Sequence, residues 1–249
     1  WAKHLQIVNG GQTTASIHHV FKKTEAAVAA VSVQAKLSVI DSSRLDELVP
    51  LISRFANSQN KVNEADFFAN DPFHVRLEEL SRTVWAPASP GMQRQTKWYY
   101  ERARGQFQDS RGREPTPAKK REFLFTHPHL QKFTKTDLAK FENTWAQLPH
   151  KVSFGAEKNF REFSSRIAES KQPEPDQKYF ERLIAKAILF RRAEKIVQEQ
   201  QFGGYRANIV TYSIALISHR TAQRIDLDRL WRNQDIPPAL ADSIREVSR

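Results

Sequence analysis

The chain has 249 residues, with 39 Lys and Arg against 28 Asp and Glu, and its formal net charge is +11. A hydrophobic content of 39%, with 16 Phe and 5 Trp, is normal for a packed globular protein and excludes an intrinsically disordered chain. The absence of cysteine excludes disulfide frameworks and thiolate metal centres, and no apolar run approaches the roughly twenty residues that span a bilayer. We therefore expect a soluble, cytoplasmic protein that does not enter a membrane.

The first ninety residues alternate predicted strands with predicted helices. The apolar run 4–8 is typical of a short buried strand, and glycines separate it from helical spacing over residues 12–21. The alternating, β-branched run 31–40 predicts a second strand, and Asp41 is a candidate N-cap for the helix that follows. Asp71-Pro72 predicts another helix start, because proline suits a first turn. These patterns predict an α/β (mixed α+β) N-terminal half.

Helical spacing dominates from residue 134 onward, after a short extended segment at 98–100. The pattern predicts helices over residues 136–147, 153–169, 175–200, 206–220 and 226–247, the last broken at Pro237-Pro238. We predict two portions, 1–133 of α/β type and 134–249 mainly α-helical. Because the chain begins at Trp1 rather than Met, we also expect preceding residues of the natural protein to complete the first portion.

Positive charge is concentrated in one region of the sequence. Residues 91–135 hold eleven Lys and Arg against four Asp and Glu, whereas residues 1–90 hold nine of each. Such a local excess attracts polyanions, although a solvated basic loop is the alternative. Cations and aromatic rings are interleaved over residues 97–107, as in proteins that bind single-stranded nucleic acids. The region is therefore a candidate nucleic-acid interface.

Two segments in the first half have residue types that bind phosphate or bases. In the first, glycines between a strand and a helix leave helix N-terminal amides free for an anion. The candidate residues there are Asn9, Gly10, Gln12 and Thr13. The second follows a predicted helix and combines amides, which can bind a base edge, with a cation: Arg54, Asn57, Gln59 and Asn60. The alternatives are an ordinary strand-to-helix turn and an ordinary helix end.

A third segment supplies the candidate rings and guanidinium groups Trp98, Tyr100, Arg102 and Arg104. On an extended segment, Tyr100 and Arg102 would project from the same face. The alternative is that the rings belong to the core and the arginines line the surface. No residue is identified as catalytic, and the close histidine pairs do not have the spacing of a metal site.

Taken in order, these segments resemble the AIPR (abortive infection phage resistance) family. The family pattern matches Asn9-Gly10-Gly11-Gln12-Thr13, then Asn57-Ser58-Gln59-Asn60, then the run from Trp98 to Gln106. The run from Phe133 to Lys140 also resembles the family, so the match covers roughly residues 1–170. The resemblance implies a role in bacterial defence against phage. It does not imply a catalytic mechanism.

A looser similarity links the first segment to Asp-Gly-Gln-His-Arg regulators of DNA modification, which are related to ParB-like nucleotide-binding folds. This chain differs from that pattern, since Asn9 replaces the Asp and Thr13-Thr14 replace the His-Arg pair. The loss of the arginine argues against phosphate binding by this loop, unless Arg54, Arg102 or Arg104 replaces it in space.

The leading hypothesis is that the three segments form one basic groove that binds DNA or RNA, in a chain that can also form a homo-oligomer. The alternative is a ParB-like module that binds or hydrolyses a nucleotide with Mg²⁺, or the targeting module of a nuclease whose catalytic centre lies outside this chain. A protein-interaction scaffold is the third hypothesis. It leaves the clustered charge unexplained.

Overall fold

The computed structural model of the protein describes residues 5–24, 28–57, 71–89, 91–169 and 174–249, and only the backbone at residues 46 and 54–57. The chain divides into two compact units, residues 1–63 and residues 64–249, which are described separately below. Helices account for 64% of the structure.

All regular secondary structure in the described part of the first unit is helical. Its elements are α1 (Gly11–Phe21), a 3₁₀ turn (Ser42–Arg44) and α2 (Leu45–Asn57). The side chain of Asp41 accepts a hydrogen bond from Ser43 N, so the predicted N-cap starts the turn that leads into α2.

The predicted α/β N-terminal half is wrong. Neither residues 5–8 nor residues 31–40 form a strand, and the described strands are two three-residue segments elsewhere in the chain. An alternating pattern shows which face of a strand would be apolar, but a strand also needs a neighbouring backbone to pair with. The apolar side chains of this run are exposed, with Val31 at 51%, Leu37 at 76% and Val39 at 92%, so the run is not packed into a core.

The second unit contains both strands and most of the helices. Its elements in chain order are α3 (Pro72–Thr83), β1 (Tyr99–Glu101), α4 (Gln106–Arg113), α5 (Pro117–Thr126), a 3₁₀ turn (His129–Gln131), β2 (Lys132–Thr134), α6 (Lys135–Trp145), α7 (Pro149–Ser153), α8 (Ala156–Glu169), α9 (Gln177–Glu199), α10 (Arg206–Arg220), α11 (Leu227–Asn233) and α12 (Pro238–Val247). Strands β1 and β2 are parallel, with Tyr100 opposite Phe133.

Caps and helix breakers account for the helix ends in the second unit. The Thr134 hydroxyl accepts from Asp137 N and the Asp137 carboxylate accepts from Thr134 N, which is a capping box at the start of α6. Gly155 has φ 96°, a left-handed value that suits glycine, and it separates α7 from α8 inside the predicted 153–169 helix. Pro238 at the first turn of α12 explains the predicted break after α11.

Helix α9 is the centre of the core. It is buried on several sides, by residues that include Phe180, Leu183, Ile184, Leu189 and Ile196, and it contacts α3, α6, α10, α11 and α12. Strand β1 contacts both α3 and β2, and Tyr100 of β1 and Phe133 of β2 are fully buried in the same core. Phe133 and Leu138 belong to the same cluster of buried side chains. The core is therefore continuous across residues 133 and 134, where the sequence suggested a boundary between two portions.

Candidate nucleic-acid interface

The rings of the 98–100 segment lie inside the second unit. Trp98, Tyr99 and Tyr100 are 4%, 1% and 0% exposed. The indole Nε1 of Trp98 donates to Gln234 Oε1 at 2.9 Å, and the Tyr100 hydroxyl shares a 2.7 Å hydrogen bond with His74 Nδ1. Buried polar groups of aromatic side chains need such partners. In this conformation the ring faces pack against the protein, as the core alternative from the sequence describes.

Two carboxylates, those of Glu78 and Glu101, bind groups in and around this run. Glu78 accepts hydrogen bonds from Arg102 Nε and from the Gln106 amide, and it lies 3.6 Å from the guanidinium of Arg82. Glu101 accepts from Gly105 N at 2.6 Å and forms an ion pair with Lys132 at 2.9 Å. The Trp98 to Gln106 run is therefore stabilised by a hydrogen bond within the run, from Gly105 to Glu101, and by hydrogen bonds to Glu78 of α3.

The two arginines of this run differ in their surroundings. Arg102 and Glu78 are only 22% and 19% exposed, whereas Arg104 is exposed and forms no ion pair within the described residues. A hydrogen bond to a charged group contributes about 1.5–3 kcal/mol, so Arg102→Ala should lower the free energy of unfolding by roughly 2 kcal/mol. Arg104→Ala should change it by less than about 0.5 kcal/mol. Urea unfolding of both variants measures the difference, and equal losses would contradict this assignment.

Arg82 and Lys97 form a chain of contacts from the buried Tyr99 ring to the exposed Trp85 ring. The guanidinium of Arg82 lies 3.5 Å from the centroid of the Tyr99 ring and donates to Tyr100 O. The ammonium of Lys97 donates to Arg82 O at 2.5 Å and lies 4.4 Å from the Trp85 ring centroid. Burial, together with the charge of Arg82, lowers the pKa of Lys97 below its ordinary value.

Next to Lys97, an open groove of about 750 Å³ runs between the 85–95 loop and helix α5; we call it the Trp85 groove. The loop is fixed by a bridge between Ala86 and Thr96, and the hydrogen bond from Lys97 N to Thr126 O joins it to the end of α5. The groove is lined by Trp85, Gln93, Arg94, Gln95, Ala118, Arg121, Glu122, Phe125 and Thr126.

Two aromatic rings and two arginines of the Trp85 groove are accessible from solvent. Trp85 is 48% exposed and Phe125 is 72% exposed. Arg94 and Arg121 are exposed and have no carboxylate partner within the described ranges, whereas the one carboxylate in the lining, Glu122, forms an ion pair with Lys119 at 2.8 Å. Exposed rings can stack on bases and unpaired arginines can bind phosphates, so the groove has the chemistry of a single-strand binding surface.

The residues of the Trp85 groove were not among the candidates that the sequence suggested, although most of them lie in the basic region. A signal was present, because Pro117 suits a first helical turn and Ala118, Arg121 and Phe125 then share one helix face at spacings of three and four. The partner across the groove, Trp85, lies in the Pro-rich stretch that the sequence indicates only as a loop. Sequence spacing did not show that this loop faces α5.

The structure places the predicted Asn9 segment at the N-terminus of α1 in the first unit. Gly10 has φ 81°, Asn9 Oδ1 accepts from Gly10 N at 2.7 Å, and no side chain caps the helix. Gln12 and Thr13 are exposed. Anion binding at these residues stays a prediction.

The second predicted segment lies mostly outside the described residues. Arg54 and Asn57 belong to α2 by their backbone, their side chains are not described, and Gln59 and Asn60 lie outside the described ranges. The joining of all three segments in one groove therefore stays a prediction. In the second unit the structure brings Tyr100 and Arg102 into contact with α3, Trp98 hydrogen-bonds to Gln234 instead, and Arg104 lies on the surface.

Within the described ranges, no group of three or more potential ligand side chains could hold a metal ion. None of the described helices is long and apolar enough to cross a membrane.

Comparison with known proteins gives one match. A family model described as AIPR protein matches residues 1–249, which is the whole chain. No curated protein matches the sequence, and no solved structure matches it either.

Proposed function

Because the chain belongs to the AIPR protein family, which indicates an abortive-infection, phage-resistance role, we propose that it binds single-stranded nucleic acid in the Trp85 groove as part of that defence. The observation that carries the proposal is the presence of two exposed rings and two unpaired arginines in one open groove. The rings stack on bases, and the arginines bind the phosphates between those bases.

The form of the groove favours a single strand. Trp85 and Phe125 offer ring faces, and these can stack only on bases that are not already stacked within a duplex. The amides of Gln93 and Gln95 line the same groove and can hydrogen-bond to base edges without fixing one sequence. The regional charge of residues 91–135 attracts the strand to this part of the surface.

The arginines should determine how strongly binding depends on salt. For single strands, the slope of log binding constant against log salt changes by about 0.7 for each phosphate that the protein no longer neutralises. The double variant Arg94→Ala, Arg121→Ala should therefore bind more weakly at low salt and show a slope that is shallower by about 1.4. Fluorescence anisotropy with labelled single-stranded DNA and RNA, titrated at several salt concentrations, measures both quantities.

A matched control removes two exposed arginines at the end of helix α10 and just after it. Arg220 and Arg224 are exposed and line no part of the Trp85 groove. The variant Arg220→Ala, Arg224→Ala has the same net charge as the groove variant, so it reports the effect of overall charge alone. If both double variants lose the same affinity and slope, binding does not take place in the Trp85 groove.

A further inference from the structure

A second cavity lies on another face of the second unit. It has a volume of about 300 Å³, and residues of α6, α7, α8, α9 and α10 line it, so we call it the five-helix cavity. Its lining includes Thr136, Asp137 and Lys140, which belong to the Phe133 to Lys140 run that resembles the family pattern. No residue lines both this cavity and the Trp85 groove. The two sites are therefore separate.

A buried amide points to a ligand in the five-helix cavity. Asn159 lines the cavity although it is only 2% exposed. Its Oδ1 accepts from Asn143 Nδ2 at 2.7 Å, and its own Nδ2 has no hydrogen-bond partner among the described residues. The buried atoms without a partner include Asn143 Oδ1 but not Asn159 Nδ2, so this Nδ2 is open to the cavity and can donate to an acceptor there. Asn208, from α10, adds a second amide to the lining.

The charges of the lining favour a neutral ligand. Asp137 and Glu194 contribute two carboxylates, and the one ammonium in the lining, Lys140, lies 3.5 Å from Asp137 Oδ1 and 5.1 Å from the Phe190 ring centroid. A phosphate would bring negative charge next to two carboxylates and would find one cation, which already has a partner. Hydroxyl and amino groups would instead donate to these carboxylates.

We propose that the five-helix cavity binds a nucleoside, with the amides of Asn159 and Asn208 on the base edge and the carboxylates of Asp137 and Glu194 on the sugar hydroxyls. Asn159 offers its Nδ2 as a donor, since its Oδ1 already accepts from Asn143, and the Asn208 amide adds a donor and an acceptor for the base edge. The volume is at the lower end of the range for small-molecule sites and suits a ligand of this size. Val152, Ala156 and Phe190 supply the apolar part of the wall.

The first experiment screens nucleosides by thermal shift. Adenosine, guanosine, cytidine and uridine are added to the full chain at millimolar concentration, and adenosine monophosphate is the charged comparison. At least one nucleoside should raise the melting temperature, because a ligand that binds only the folded state stabilises it. Adenosine monophosphate should bind more weakly than adenosine. No shift with any nucleoside, or tighter binding of the monophosphate, overturns the proposal.

The second experiment assigns the site by titration calorimetry with the nucleoside that gives the largest shift. Glu194→Ala and Asn208→Ala should each weaken binding about tenfold, which corresponds to the loss of one hydrogen bond to the ligand. Both positions are exposed enough for the variants to fold. Ala207→Leu should abolish binding, because Ala207 lines the cavity and a larger side chain fills it.

Glu199→Ala is the matched control, since Glu199 is an exposed carboxylate on the same helix and lies outside the lining. It should bind the nucleoside like the unaltered chain. If Glu194→Ala and Ala207→Leu also bind normally, the nucleoside does not occupy this cavity and the proposal is wrong. The oligonucleotide titration of the Trp85 groove is a separate readout, so either proposal can fail without the other.

Discussion

The double variant Trp85→Ala, Phe125→Ala should bind single-stranded oligonucleotides roughly 100-fold more weakly than the unaltered chain, because each stacked base contributes about 1–3 kcal/mol. The rings are 48% and 72% exposed, so the substitutions mainly remove their stacking on the ligand. Arg94 and Arg121 remain in this variant, so the salt dependence should persist while the affinity falls. Fluorescence anisotropy with an oligonucleotide of about twelve nucleotides measures both.

The comparison variant for this experiment is Tyr212→Ala, Phe154→Ala. These rings are 49% and 60% exposed, close to the values of the groove rings, and they lie outside the groove lining. Melting temperatures of both double variants show whether either one has lost structure. We expect the comparison variant to bind normally. If it loses as much affinity as the groove variant, or if the groove variant binds normally, stacking in the Trp85 groove does not hold the strand.

The separate effects of rings and cations can distinguish this interface from a general attraction to charge. A basic surface without stacking would lose affinity with Arg94→Ala, Arg121→Ala and none with the ring variant. An aromatic patch without phosphate contacts would show the reverse. The proposal requires both losses, and it requires them in different parameters: the salt slope for the arginines and the affinity at fixed salt for the rings.

The helices of the second unit could be predicted because their ends are encoded locally. Pro72 and Pro238 stand at first turns, and the 206–220 prediction coincides with α10. The predicted strands failed because strand formation depends on a partner that the segment itself does not contain. The run 31–40 has the composition of a strand, yet the structure pairs two short segments around Tyr100 and Phe133 instead.

The sequence identified a basic region, but it could not show which rings of that region are buried and which are exposed. Trp98 and Tyr100 are aromatic and have basic neighbours in sequence, as residues of a stacking surface do. Their hydrogen bonds to Gln234 and His74 are what show that they belong to the core. Trp85 and Phe125 are forty residues apart in sequence, and a loop bridge and one backbone hydrogen bond hold their segments together. Local spacing carries no information about such contacts.

A buried histidine should make the second unit sensitive to acid. His74 is 3% exposed, its ring stacks with those of Tyr100 and Phe160, and its Nδ1 shares a hydrogen bond with the Tyr100 hydroxyl. Burial, with the positive charges of Lys135 and Arg102, lowers the pKa of His74 from 6.5 to about 3. The folded protein therefore keeps this imidazole neutral at pH values where the unfolded chain protonates it.

The sign of the effect follows from this difference in proton uptake. Above pH 6.5 the imidazole is neutral in both states, and His74 adds no pH dependence to stability. Between pH 6.5 and about 3, only the unfolded chain takes up the proton, so the free energy of unfolding falls by about 1.4 kcal/mol for each pH unit. Below about pH 3 the folded protein is protonated as well and the loss reaches its limit.

The variant His74→Gln isolates this contribution, because glutamine keeps a polar partner for the Tyr100 hydroxyl and does not titrate. Carboxylates also titrate below pH 6, but they are common to both proteins and cancel in the comparison. Between pH 7 and pH 4.5, the loss of unfolding free energy should be smaller in His74→Gln by roughly 3 kcal/mol, as measured by urea unfolding at each pH. Replacement of the exposed His150 by glutamine should leave the loss unchanged. Parallel pH profiles for the unaltered chain and His74→Gln would show that His74 is not held neutral by the fold.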